Sequence, residues 1–158
     1  MKPVYQTRSG IGVGNCLACC IASILEIKLE DIDMGEFKVN ANGEVDGEDF
    51  LTRLFKKLDQ LGWGLLQAHL HFFNKQVKKD KHSKGYTGLL TDCHCIISYP
   101  WDKNNWNGGP WHSVVGYIDK NYKICVVHDP DPKAPMNTIT EYKWDMNKFQ
   151  LIEFLVKK

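Results

Sequence analysis

The sequence predicts an α+β protein in which N-terminal helices, one of them central and carrying a cysteine at its start, pack on a mostly antiparallel sheet. Three observations point that way. Apolar residues recur at helical spacing only before Gly62. Beyond it the pattern changes to short β-branched and aromatic runs separated by turn residues. Helical and strand segments do not alternate, as a parallel sheet built from βαβ units would require.

The elements follow in chain order. Residues 7–15 contain Gly10, Gly12 and Gly14 and little that can pack, which predicts a loop. Asn15 is a good N-cap type, and residues 16–25 behind it are apolar nearly all round, as a buried helix is. Residues 29–32 add a further turn, and 40–43 carry turn chemistry. Asp46 is placed to cap a second helix. Its Phe50, Leu51, Leu54, Phe55, Leu58 and Leu61 are expected on the core face, Lys56, Lys57 and Asp59 on the other, with Gly62 closing it. Runs at 65–73, 94–99, 113–118, 123–128 and 149–156 predict four or five strands. The lysine-rich stretch 74–88 and the segment 101–111 are expected as long loops, the former a solvated face rather than an anion site. No linker or internal repeat interrupts the chain, so one domain is expected over residues 1–158.

Composition narrows the function. Twenty Lys+Arg against nineteen Asp+Glu give a net charge of +1, which supplies no strong field to recruit nucleic acid or anionic lipid. No apolar run approaches the roughly 20 residues of a membrane span. The first residues lack the apolar stretch of a signal peptide, so a cytoplasmic protein is expected. In that reducing setting the six cysteines are expected as free thiols, metal ligands or nucleophiles rather than disulfides.

Cys16 stands where the glycine-rich loop becomes the helix, and there unpaired backbone N–H groups and the helix dipole favour a thiolate. Cys19 and Cys20, flanked by Ala18, Ile21 and Ala22, read as small buried residues. A nucleophile needs a base, and His112 enters a strand behind Gly108, Gly109 and Pro110. Asp129 ends the following strand in His128-Asp129-Pro130-Asp131-Pro132, within reach of the far imidazole nitrogen, with Asp131 as the alternative acid. Together these are the nucleophile, base and orienting group of thiol acyl transfer. Gln6 offers a side-chain amide for an oxyanion, beside the Cys16 N–H. Asn15, Trp106 and Trp111 are the candidate substrate contacts.

These residues carry a family resemblance. Tyr5-Gln6-Thr7, Gly14-Asn15-Cys16-Leu17-Ala18-Cys19, His112-Ser113-Val114-Val115-Gly116 and Val126-Val127-His128-Asp129-Pro130 resemble the papain-like cysteine peptidase superfamily. Within it the chain looks closest to the double-glycine leader peptidases that process bacteriocins, and to small papain-like proteins of bacteriophages and bacteria. The resemblance implies a Cys16, His112, Asp129 triad with Gln6 at the oxyanion, no cofactor, and a peptide or protein substrate cleaved at an amide, isopeptide or thioester bond. The ten residues from Gln6 to Cys16 exceed the six usual in the peptidases, so the glycine segment is expected to bulge outward.

Two other readings compete. Cys16-x-x-Cys19 and Cys93-His94-Cys95 hold four soft ligands of the type zinc takes, although the second half has the wrong spacing and the first lies on a continuous helix. A catalytically silent papain-fold module that holds a protein partner is the other. His69 and His71 alternate on one strand face and read as polar surface, and His128 as a positioning residue. The glycine run lacks the dinucleotide-binding spacing.

Overall fold

The computed structural model describes residues 1–9, 14–35, 50–69, 91–100, 111–120, 124–134 and 151–158. Its elements are α1 (Cys16–Leu25), α2 (Leu29–Ile32), α3 (Phe50–Gln60), β1 (Trp63–His69), β2 (Cys93–Pro100), β3 (Trp111–Ile118), β4 (Ile124–His128) and β5 (Leu151–Lys157). The α+β expectation is met. Asp46, residues 70–73 of the first expected strand and the lysine-rich stretch lie outside the described residues.

The five strands form one sheet in the order β1-β5-β2-β3-β4, and all four pairings are antiparallel. The C-terminal strand β5 inserts between β1 and β2, pairing Leu65 with Leu155 and Ile97 with Ile152. Because side chains alternate along a strand, the sheet has two apolar faces. On one, Ile96 and Val115 pack with Ala18, Ile21 and Ala22 of α1 and with Leu54 and Leu58 of α3. On the other, Cys95, Ile97, Val114, Ile118, Ile152 and Phe154 form a second cluster.

α1 is buried over six consecutive residues, Ala18 to Ser23, as its apolar circumference predicts. α3 differs from expectation at two positions. Leu54 and Leu58, one turn apart, are buried, but Phe55 and Leu61 are 41% and 39% exposed. Phe55 follows Leu54 by about 100° around the helix, which carries it off the stripe that the Leu pair buries. Gly62 ends the helix at φ +76°, a conformation that favours glycine.

Gly116 is required by space. A β-carbon there would lie 2.5 Å from Ile97 Cδ1 and 2.9 Å from Cys95 Sγ across the β2–β3 pair. The same residue begins the register shift between β3 and β4, beyond which β4 ends in His128-Asp129 beside the start of β3. The start of β3 and the exit of β4 therefore lie together at the N-terminus of α1.

Candidate active site

Cys16 is the first residue of α1 and is half-buried, so its thiol is reachable from outside. His112 is the second residue of β3 and only 5% exposed, its ring edge-on to Tyr99 of β2 at 5.5 Å between centroids. Its Nε2 is 2.9 Å from Asp129 Oδ1. That leaves Nδ1 for the hydrogen bond between the imidazole and the Cys16 thiol. Thiol, imidazole and carboxylate thus form one line from the helix start to the end of β4.

The electrostatics follow from this line. Burial alone would push the Cys16 thiol up. The hydrogen bond and charge of His112, with the backbone N–H groups of Ser113 and Leu17, outweigh it and hold the thiol below its ordinary value. Burial likewise pulls the imidazole down, but Asp129 and Cys16 win and raise it to about 9. The pair favours thiolate and imidazolium together, as an activated cysteine nucleophile requires. Among the described residues β4 pairs with β3 only from Val115 onward, so Ser113 lies beyond that ladder, at the end of β3 that meets Cys16.

Asp129, not Asp131, faces His112. Asp129 Oδ1 also accepts the backbone N–H of Asp131 at 2.8 Å, and Asp131 Oδ1 in turn accepts the N–H of Lys133 at 2.9 Å. These successive Asx turns fix the exit of β4 and aim the Asp129 carboxylate at the ring.

Gln6 lies beside the same centre. Its backbone N–H donates to Pro130 O at 2.8 Å, one residue past Asp129. His128 Nε2 bonds Val4 O at 2.9 Å and its ring meets Tyr5 edge-on, so His128 positions the N-terminal segment, as expected. The long gap to Cys16 is absorbed between Arg8 and Asn15, where Asn15 N–H donates back to Arg8 O at 3.4 Å. Residues 10–13 of that segment lie outside the described residues.

Asn15 departs from its expected use. It makes no side-chain cap to α1. Its Oδ1 accepts the N–H groups of Thr7 and Arg8, and its Nδ2 donates to Thr7 Oγ1 and Asp33 Oδ2. All four hydrogen-bonding positions of the amide are filled and the residue is 3% exposed, which gives it a positioning task in place of a substrate contact. Arg8 completes the anchor on Asp33 Oδ1 at 2.5 Å. Burial acts against the Asp33 charge, but Arg8, Gly35 N–H and Asn15 keep its carboxyl below the usual value. Trp106 and the side chain of Trp111 lie outside the described residues, as do the side chain of His69 and all of His71.

The two cysteine pairs of the zinc reading are not brought together. Cys93 pairs with Ile118 at one end of the β2–β3 ladder, whereas Tyr99 pairs with His112 at the other. Six residues of strand, about 20 Å, separate these ends. Cys95 moreover faces the cluster on the side of the sheet away from α1. Among the described residues no group of three or more His, Cys, Asp and Glu is arranged to hold a metal ion.

A polar row across the sheet, buried at all but its exposed Gln67 end, is marked by no motif in the sequence. Glu153, 2% exposed on the α1 face, accepts Gln67 Nε2 at 2.8 Å and Ser98 Oγ at 3.1 Å, and Ser98 Oγ lies 2.9 Å from Ser113 Oγ. Burial raises the Glu153 carboxyl, only partly offset by Gln67 and Ser98. The row crosses four strands and ends on the residue whose N–H meets Cys16. Polar residues at inward positions of apolar strands are its signal in the sequence, but their partners lie 55 and 86 positions away.

No protein-family model matches the chain, and no curated protein matches it. Among the described residues no helix is long and apolar enough to cross a membrane.

Proposed function

We propose that the protein is a cysteine-dependent hydrolase of papain-like fold that cleaves an amide, isopeptide or thioester bond. The observation that carries the reading is the Cys16, His112, Asp129 line, with the imidazole 2.9 Å from its carboxylate and hydrogen-bonded to a thiol at a helix start. In this reading the Cys16 thiolate attacks the substrate carbonyl. The Cys16 N–H at the start of α1 and the Gln6 side-chain amide stabilise the oxyanion. His112 Nδ1–H protonates the leaving group, then takes a proton from the water that hydrolyses the thioester, while Asp129 holds the ring. The arrangement needs no cofactor. A reduced thiol is essential to it, which suits the cytoplasm of a bacterium or of a phage-infected host. The substrate class is a peptide or protein with an extended tail.

The test is acyl trapping. Brief exposure to p-nitrophenyl acetate should give a burst of nitrophenolate and one acetyl group on Cys16, located by peptide mapping. The acetyl-enzyme then turns over in the native protein. His112→Ala should lose both burst and turnover. Acetyl spread evenly over the cysteines, with no dependence on His112, refutes the hydrolase reading and leaves a binding module.

A further inference from the structure

Cys16 and Cys19 occupy positions i and i+3 of α1, so their β-carbons share one face at about 5–6 Å. α-Carbons at that spacing fall within the range a disulfide spans, and bonding draws the β-carbons in to about 3.5–4.5 Å, which tightens the first turn. The Asn15 side chain does not cap it, and the backbone bond across it runs from Cys19 N–H to Asn15 O at 3.0 Å.

The two thiols differ in character. Cys16 is reachable and favours the thiolate, whereas Cys19 is 0% exposed, and burial together with the neighbouring Cys16 pushes its thiol up to about 12. Cys20, also near Cys16, belongs to the apolar cluster on the α1 face. Cys19 lies outside both clusters, its charged neighbours being Asp33 and Arg8. A half-buried first cysteine that favours the thiolate and a fully shielded second one are the arrangement of a reactive and a resolving thiol.

We propose that Cys16 and Cys19 form an oxidisable dithiol in which peroxide oxidises Cys16 and Cys19 resolves the product as a disulfide, switching the site off reversibly. The Cys16 thiolate attacks one peroxide oxygen and breaks the O–O bond. The peroxide gains two electrons and, with one proton, leaves as water while Cys16 becomes a sulfenic acid. With the Cys16 charge gone, burial still holds the Cys19 thiol up, but the repulsion that added to it is removed. Its sulfur then attacks Cys16, expelling hydroxide, which takes the Cys19 proton and leaves as a second water. An external dithiol reverses the step. The proposal rests on the Cys16 thiolate of the hydrolase reading but not on acyl transfer.

The reduced protein, treated with a small excess of hydrogen peroxide and then alkylated in denaturant, should lose two alkylatable thiols, mapped to Cys16 and Cys19. Its mass should fall by two hydrogens, and dithiothreitol should restore both thiols. Cys19→Ser should instead accumulate one, then two or three oxygens on Cys16, and label with dimedone at the first stage. Before peroxide its Cys16 should alkylate at the native rate. Cys20→Ser should behave as the native protein does. Rapid oxidation of Cys16 with no disulfide, or a disulfide to Cys20, overturns the dithiol alone. Oxidation of Cys16 no faster than of exposed Cys125 overturns the thiolate and the hydrolase reading with it.

Discussion

Asp129→Asn removes one charge from the site and little else. The amide oxygen still accepts the His112 Nε2–H and the Asp131 N–H that the carboxylate holds. The imidazole rises from 6.5 to about 9 in place, a preference of about 3 kcal/mol for the imidazolium. Burial opposes that rise, and Asp129 and Cys16 supply it, Asp129 first. His112 is too buried for water to screen the loss. Removing the charge is therefore expected to cost the thiolate–imidazolium pair at least about 1.4 kcal/mol, or tenfold in population. The assay is thiolate absorbance from pH 4 to 10, taken as the difference between each protein and its Cys16→Ser counterpart. Cys19 and Cys20 are pushed up too far to ionise across most of this window, and Cys93 and Cys95 are raised too. The native signal should persist to low pH. In Asp129→Asn its onset should move up by about one pH unit. Superimposable titrations would refute the role assigned to Asp129.

Other outcomes are equally specific. Gly116→Ala drives a methyl into Ile97 and Cys95 and should cost about 1–3 kcal/mol, read as a lower urea midpoint at unchanged slope. Glu153→Gln should stabilise the protein at pH 7 and leave it unchanged near pH 4. The folded carboxyl has the raised value, so its penalty is absent below the unfolded value of about 4.3 and grows as pH rises toward the folded one. Equal midpoints at both pH values would contradict the burial account. Asn15→Ala opens the clamp on Thr7, Arg8 and Asp33 and should cost about 2 kcal/mol, with hydrolysis of active esters falling more than Cys16 alkylation. The His112 contribution to stability should be full below pH 6.5 and disappear as pH rises through about 9, visible as an alkaline fall in urea midpoint absent from His112→Ala.

What the sequence made legible was local. The start of α1 at Cys16, the close of α3 before Gly62 and the cores of the strands follow from periodicity and punctuation over a few residues. Cys16, His112 and Asp129 were legible because each lies at the end of an element that its neighbours define. Long-range pairing was not. Nothing near residues 151–157 says that β5 inserts between β1 and β2, since pairing is decided by the whole sheet. The same distance hid the Glu153 row and the Asn15 clamp, in which a residue with capping chemistry is drawn to Thr7, Arg8 and Asp33 by tertiary contacts. Phe55 shows the converse: a helical pattern names a stripe, and packing against β1 and α2 decides which of its residues are covered.

The central claim is that Cys16 is a thiolate made by His112. A brief, limiting dose of iodoacetamide from pH 5 to 9, read by intact mass and peptide mapping on the native protein and on His112→Ala, tests it most directly. The account predicts that Cys16 is modified first and already at low pH, and that the variant loses this preference. Slow labelling of Cys16 in both proteins, rising only near the ordinary thiol value of about 8.5, would contradict it.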